Sequence, residues 1–71
     1  MAPDALDAAR SRYTAAFEAY SRASKRVTEK LASGGTPSAE EVQEEAKATE
    51  WLAAARRELL DVMTSLVPPR P

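Results

Sequence analysis

The sequence contains no cysteine and no histidine among its 71 residues. The absence of cysteine excludes disulfides and thiolate chemistry, and the two absences together exclude zinc ligation through Cys or His. The imidazole group, the usual acid–base catalyst near neutral pH, is missing as well. A chain this short obtains only about 3–5 kcal/mol from one core and is commonly reinforced by disulfides, a metal or oligomerisation. Oligomerisation is therefore the reinforcement that we expect here.

Other signals of function are also scarce. No segment approaches the roughly 20 apolar residues of a membrane span, and no secretory signal pattern is present, so we expect a cytoplasmic protein that does not contact membranes. The net charge of −1 gives no overall basic field. The serine and threonine residues lack a paired base, and no glycine-rich phosphate loop occurs. We therefore predict no enzymatic activity, no cofactor, no metal and no small-molecule substrate.

The first long segment without glycine or proline runs from residue 4 to residue 33. Pro3 and Asp4 suit the start of a helix, because proline fits the first turn and a carboxylate favours the positive end of the helix dipole. Ser33, Gly34 and Gly35 then end the segment, and one of the two glycines can take the left-handed conformation at the helix end. This pattern predicts a first helix over about 4–33.

A second helix is predicted over about 38–67. Two starts fit the sequence: Thr36 as the cap with Pro37 in the first turn, or Ser38 as the cap with Glu41 three residues later. Prolines 68 and 69 end the helix and leave residues 68–71 as an extended tail. Because so few residues join the two helices, they should pack antiparallel as one hairpin domain over 1–67.

The first helix carries a heptad seam with large residues at one position and alanine at the other. The large residues recur at intervals of seven, as do the alanines three positions further on; the two sets are Leu6, Tyr13, Tyr20 and Val27, and Ala9, Ala16 and Ala23. Phe17 and Leu31 widen the seam. An alanine column predicts a close approach of the second helix.

The second helix is apolar over more than half of its circumference. Leu52, Leu59 and Leu66 form a line at heptad spacing with Met63 beside them, and each side of this line carries a further apolar flank. The two flanks are Trp51, Ala55 and Val62 on one side, and Val42, Ala53, Leu60 and Val67 on the other. One helix cannot cover such an arc. The rotation of the hairpin leaves one flank open, so we expect two hairpins to form a four-helix bundle.

The predicted interface combines aromatic residues of the first helix with apolar residues of the second. Its members are Trp51, Ala55, Val62, Leu59, Leu60, Tyr13, Phe17 and Tyr20. Trp51 is our first choice for an intermolecular contact, because tryptophan is enriched at interface hot spots. The structural alternative is that these aromatic residues belong to the core, as aromatic residues at helical spacing more often do.

Three charged features have an ordinary structural explanation. Arg56 within the apolar arc is explained by an aliphatic stem with its charge at the rim, near Glu18 or Tyr13, although a partner's carboxylate is the alternative. The glutamates at 40, 41, 44 and 45 suit the first turns of a helix and lack the histidine of a carboxylate metal site. The basic stretch of Arg22, Lys25, Arg26 and Lys30 suits a helix C-terminus, with phosphate contact as the alternative.

The charge is distributed unevenly between the two halves. Residues 1–35 contain six basic and four acidic residues, a net charge of +2, and residues 36–71 contain four basic and seven acidic residues, a net charge of −3. Opposite charges suit an antiparallel pair of helices, although each surface ion pair contributes at most ~1 kcal/mol.

Our first functional hypothesis is a structural or interaction protein that forms a homodimer through helix packing. The alternative is a co-chaperone or antitoxin-like regulator whose apolar flank binds a helix of another protein, an analogy of fold only. A third hypothesis, a nucleic-acid accessory factor, depends on the basic stretch alone.

Overall fold

The computed structural model describes residues 4–66. Helix α1 spans Ala5–Ala32 and helix α2 spans Ala39–Leu66, each with 28 residues, and the two helices pack against each other. The predicted all-α hairpin is thus confirmed, with helix bounds within one residue of those expected. The predictions for Pro3, for Val67 and for the tail over 68–71 lie outside the described residues.

Helix α1 is capped at both ends by its own sequence. Asp4 is the N-cap residue, and its side-chain oxygen accepts a hydrogen bond of 2.8 Å from the backbone N–H of Asp7. At the other end the backbone N–H of Gly35 donates to the carbonyl of Lys30 at 2.8 Å, and that of Gly34 donates to the carbonyl of Leu31 at 3.3 Å. This pair of bonds is a Schellman motif, and Gly34 takes the left-handed conformation with φ of 82°.

Helix α2 begins with a capping box, which decides between the two starts that the sequence allows. The backbone N–H of Glu41 donates to the Ser38 hydroxyl at 3.0 Å, and the backbone N–H of Ser38 donates to the Glu41 carboxylate at 2.9 Å. Two N–H groups that the helix leaves without partners are thereby satisfied. Ser38, rather than Thr36, caps the helix.

The interior of the hairpin consists of small side chains. Ala9 and Ala16 are fully buried, and the other buried apolar residues of the described chain are Ala23, Val27, Ala48 and Ala55. The alanines of each helix recur at intervals of seven, so each helix presents one alanine column to the other. Without longer side chains between them, the two backbones can approach closely. The predicted alanine contact of α1 is confirmed.

The rotation of helix α2 decides which of its two apolar flanks stays open. Val42 and Leu60 of one flank are about half exposed, whereas Ala55 of the other flank is buried together with Ala48. Leu52 and Leu59 are half-buried. The physical reason is that α1 also offers alanines, and two alanine columns pack more closely than an alanine column against leucines. The leucines therefore lie at the margin of the contact.

Candidate interaction surface

One side of the hairpin carries ion pairs between the helices. Arg12 of α1 pairs with Glu58 of α2, and Arg26 pairs with Glu44 at 3.4 Å. We call this surface the ion-pair side. In both pairs the residues lie at equal distances along the chain from Gly35, so the pairs fix the register of the antiparallel helices.

Trp51 lies on the ion-pair side. It is seven residues from both Glu44 and Glu58, and the same register places it level with Ala19 of α1. The large ring is thus level with a small residue and lies between the two ion pairs. Trp51 is 46% exposed, so about half of its surface is covered within the hairpin.

The opposite side of the hairpin contains an open apolar groove. Its volume is about 550 Å³, and its lining comes from Tyr20 of α1 and from a longer set on α2, which is Thr49, Leu52, Ala53, Arg56, Arg57, Leu60 and Asp61. We call this surface the open side. Tyr20 of α1 lies beside Thr49 and Leu52 of α2, in agreement with the register that the two ion pairs fix.

Large apolar residues extend the groove along both helices. At about 100° per residue, Tyr13, Phe17 and Leu31 of α1 point to the same side as Tyr20, and Val42 and Met63 of α2 point to the same side as Leu60. The rings of Tyr13 and Phe17 are neighbours, with centroids 6.4 Å apart. Phe17, Leu31, Val42, Leu60 and Met63 are each between 42% and 62% exposed. The open side therefore displays most of the larger apolar surface of the described residues.

Four ionisable side chains lie on this side, and Arg57 and Asp61 of the groove lining are two of them. Arg56 lines the groove, and Glu45 lies three turns before it on nearly the same line of α2. Neither forms an ion pair with any residue in the range 4–66, whereas Glu41 pairs with Lys30 and Glu58 pairs with Arg12. The expected contact of Arg56 with Glu18 or Tyr13 is not found.

The structure separates the residues that the sequence grouped as an interface. Tyr13, Phe17, Tyr20 and Leu60 are brought together on the open side. The rest are distributed elsewhere: Ala55 is buried between the helices, Leu59 and Val62 are half-buried, and Trp51 lies on the ion-pair side. Ala55 is therefore inaccessible to a second chain in this hairpin.

The sequence-based interface omits several residues of the open side, notably Val42, Leu52 and Met63. Their mutual spacing along α2 was visible in the sequence, since Val42 and Leu60 share one line and Leu52 and Met63 another. The sequence of α2 alone does not determine which of its faces packs against α1. The alanines that recur at intervals of seven in both helices were the signal that would have determined this rotation.

The remaining charged features are largely paired. In the basic stretch, Lys25 contacts Glu29 at 3.9 Å, Arg26 contacts Glu44 and Lys30 contacts Glu41 at 3.3 Å. These acids reduce the positive field that would attract the phosphate backbone of a nucleic acid.

Neither helix in the range 4–66 is both long and apolar enough to cross a membrane.

Comparisons with protein-family models, with curated proteins and with solved structures give no match.

Proposed function

We propose that this protein is a small, non-enzymatic structural or interaction protein that self-associates through its open side. Two hairpins would then form an antiparallel four-helix bundle with the apolar residues of both open sides in its core. The architecture has ample precedent in principle, since two-helix hairpins are the halves of many four-helix bundles.

The observation that carries this proposal is the division of apolar residues between the interior and the surface. The interior of the described hairpin holds alanines and one valine, and no side chain larger than valine is fully buried there. Full burial of a Leu, Met or Phe side chain contributes about 1.5–3 kcal/mol. The hairpin alone leaves most of that stabilisation unused, and a second open side supplies it.

The choice of side follows from the contrast between the two surfaces. On the ion-pair side, Arg12 and Arg26 already have acidic partners and would have to give up water contacts to be covered. On the open side, the groove beside Tyr20 and Leu60 is lined mainly by carbon atoms. Covering the open side therefore buries more apolar surface, and its cost depends on new partners for Arg56 and Glu45, which have no ion pair within residues 4–66.

The test is the solution mass by light scattering coupled to size exclusion, for the wild type, Leu60→Glu and Trp51→Glu. We expect a wild-type mass of twice the 7.7 kDa of one chain. Leu60→Glu should be monomeric, because it places a carboxylate in the apolar contact, and Trp51→Glu should stay dimeric. Far-UV circular dichroism of each variant checks that the helices persist.

Two results would contradict the proposal. Dissociation by Trp51→Glu but not by Leu60→Glu would move the interface to the ion-pair side, as the sequence-based choice of Trp51 predicts. A well-folded wild-type monomer would exclude self-association and favour the alternative hypothesis, a helix of another protein bound to the open side.

A further inference from the structure

The open side of α2 is apolar, and the charges that it carries can also complement those of a second copy. Glu45 and Arg56 lie on nearly the same line of the helix, about 20° apart and about 16 Å apart along the axis. Neither has an oppositely charged partner within residues 4–66, although other acids of α2, such as Glu44 and Glu58, do. An acid and a base at opposite ends of an apolar stripe can each be satisfied by a second copy of the same stripe.

The geometry of such a contact is set by symmetry. In a two-fold antiparallel pair of identical helices, a residue before the axis faces the residue at the same distance after it. Glu45 and Arg56 are equidistant from a point between residues 50 and 51, and Val42 and Leu60 are equidistant from residue 51. One axis position therefore pairs acid with base and apolar residue with apolar residue.

The open side of α1 has its own centre at the same level of the hairpin. Leu6 and Leu31 are equidistant from a point between residues 18 and 19, and so are Phe17 and Tyr20. The ion-pair register places Ala19 level with residue 51 of α2, so the centres of the two helices coincide within about one residue. A single two-fold axis thus serves both helices, with Leu6 facing Leu31 and Phe17 facing Tyr20 of the other copy.

We propose that the occupant of the open side is a second copy placed antiparallel, α2 on α2 and α1 on α1, with reciprocal ion pairs between Glu45 and Arg56. This inference rests on the proposed self-association and specifies its geometry. The alternative placement, in which α2 of one copy lies on α1 of the other, does not bring these two charges together.

The test is a charge swap followed by light scattering and sedimentation equilibrium. Glu45→Arg brings two pairs of arginines together in the dimer, and Arg56→Glu brings two pairs of glutamates together. Because like charges repel, the dissociation constant of each variant should be at least about tenfold higher than that of the wild type. The double variant Glu45→Arg/Arg56→Glu restores opposite charges and should return to wild-type affinity. Glu50→Arg and Lys47→Glu, which change the charge of exposed residues outside the open side, are the matched controls.

Mixing the two single variants gives a second readout that does not depend on the stability of either alone. The Glu45→Arg chain and the Arg56→Glu chain complement each other at both pairs, so the mixture should form heterodimers. Rescue by the double variant together with heterodimers in the mixture would support the proposed geometry. A wild-type dimer in which neither occurs would overturn the geometry and leave self-association standing, whereas a wild-type monomer would overturn both.

Discussion

At the scale of single residues, Glu41 connects the start of α2 to the end of α1 beside the turn. Its carboxylate accepts the backbone N–H of Ser38 and contacts Lys30 of α1, so one side chain closes the capping box and links the helices beside the turn. The Ser38 hydrogen bond, followed by the bond to Lys30, lowers the pKa of the Glu41 carboxyl below its ordinary value. The negative charge is therefore favoured more in the folded chain than in the unfolded chain.

This lowered pKa predicts a pH dependence of stability. Because the folded state favours the charged form, the contribution of Glu41 is complete above the unfolded pKa of about 4.3 and is lost as the pH falls through the lower folded value. Glu41→Gln keeps an oxygen for the Ser38 N–H but loses the charge. We expect the thermal midpoint of the wild type to exceed that of Glu41→Gln at pH 7 and to converge with it in acid.

The measurement is a series of thermal melts between pH 7 and pH 3 at one protein concentration. Glu40→Gln is the control, since it removes a charge from the same helical turn without an ion pair within residues 4–66. A difference between wild type and Glu41→Gln that stays constant across the pH range would show that the bonds to Ser38 and Lys30 do not act through the charge.

At the scale of the elements, the sequence predicted the helices well and left their mutual rotation open. The absence of Gly and Pro between the caps, the glycine pair at 34 and 35, and the Ser38–Glu41 spacing are local signals, and each produced the expected local structure. The rotation of α2 depends on a contact between residues far apart in the chain. Since α2 is apolar over such a wide arc, its own pattern fits several rotations equally well.

The same reason explains the partial prediction of the candidate interface. The aromatic residues of α1 and Leu60 were identified as surface candidates and do meet on the open side, because their spacing on one helix fixes a shared face. Ala55 was included only because it shares a flank with Trp51. Once the alanine columns meet, Ala55 turns inward, and Val42 and Met63 turn outward.

The alanine contact can be tested with one enlarged side chain. Ala16 is fully buried between the helices, so Ala16→Leu should force them apart and destabilise the fold by about 1–3 kcal/mol. Ala15→Leu places the same side chain on the exposed face of the same turn, and leucine has nearly the helix propensity of alanine. Urea unfolding followed at 222 nm compares the two variants; equal stability would contradict the close alanine packing.

At the scale of the whole molecule, stability and association are expected to be inseparable. The hairpin has an interior of alanines and one valine, and most of its larger exposed apolar side chains lie on the open side. Such a division suits a protein whose core is completed by a second chain rather than within one. The folded state should then gain stability by mass action, and dilution should reduce it.

The most direct measurement is the thermal midpoint of the wild type over a hundredfold range of protein concentration, followed by circular dichroism. We predict that the midpoint falls steadily as the protein is diluted, because unfolding is coupled to dissociation of the two hairpins. A cooperative transition whose midpoint is independent of concentration, in a protein with the mass of one chain, would contradict the central claim that a second copy covers the open side.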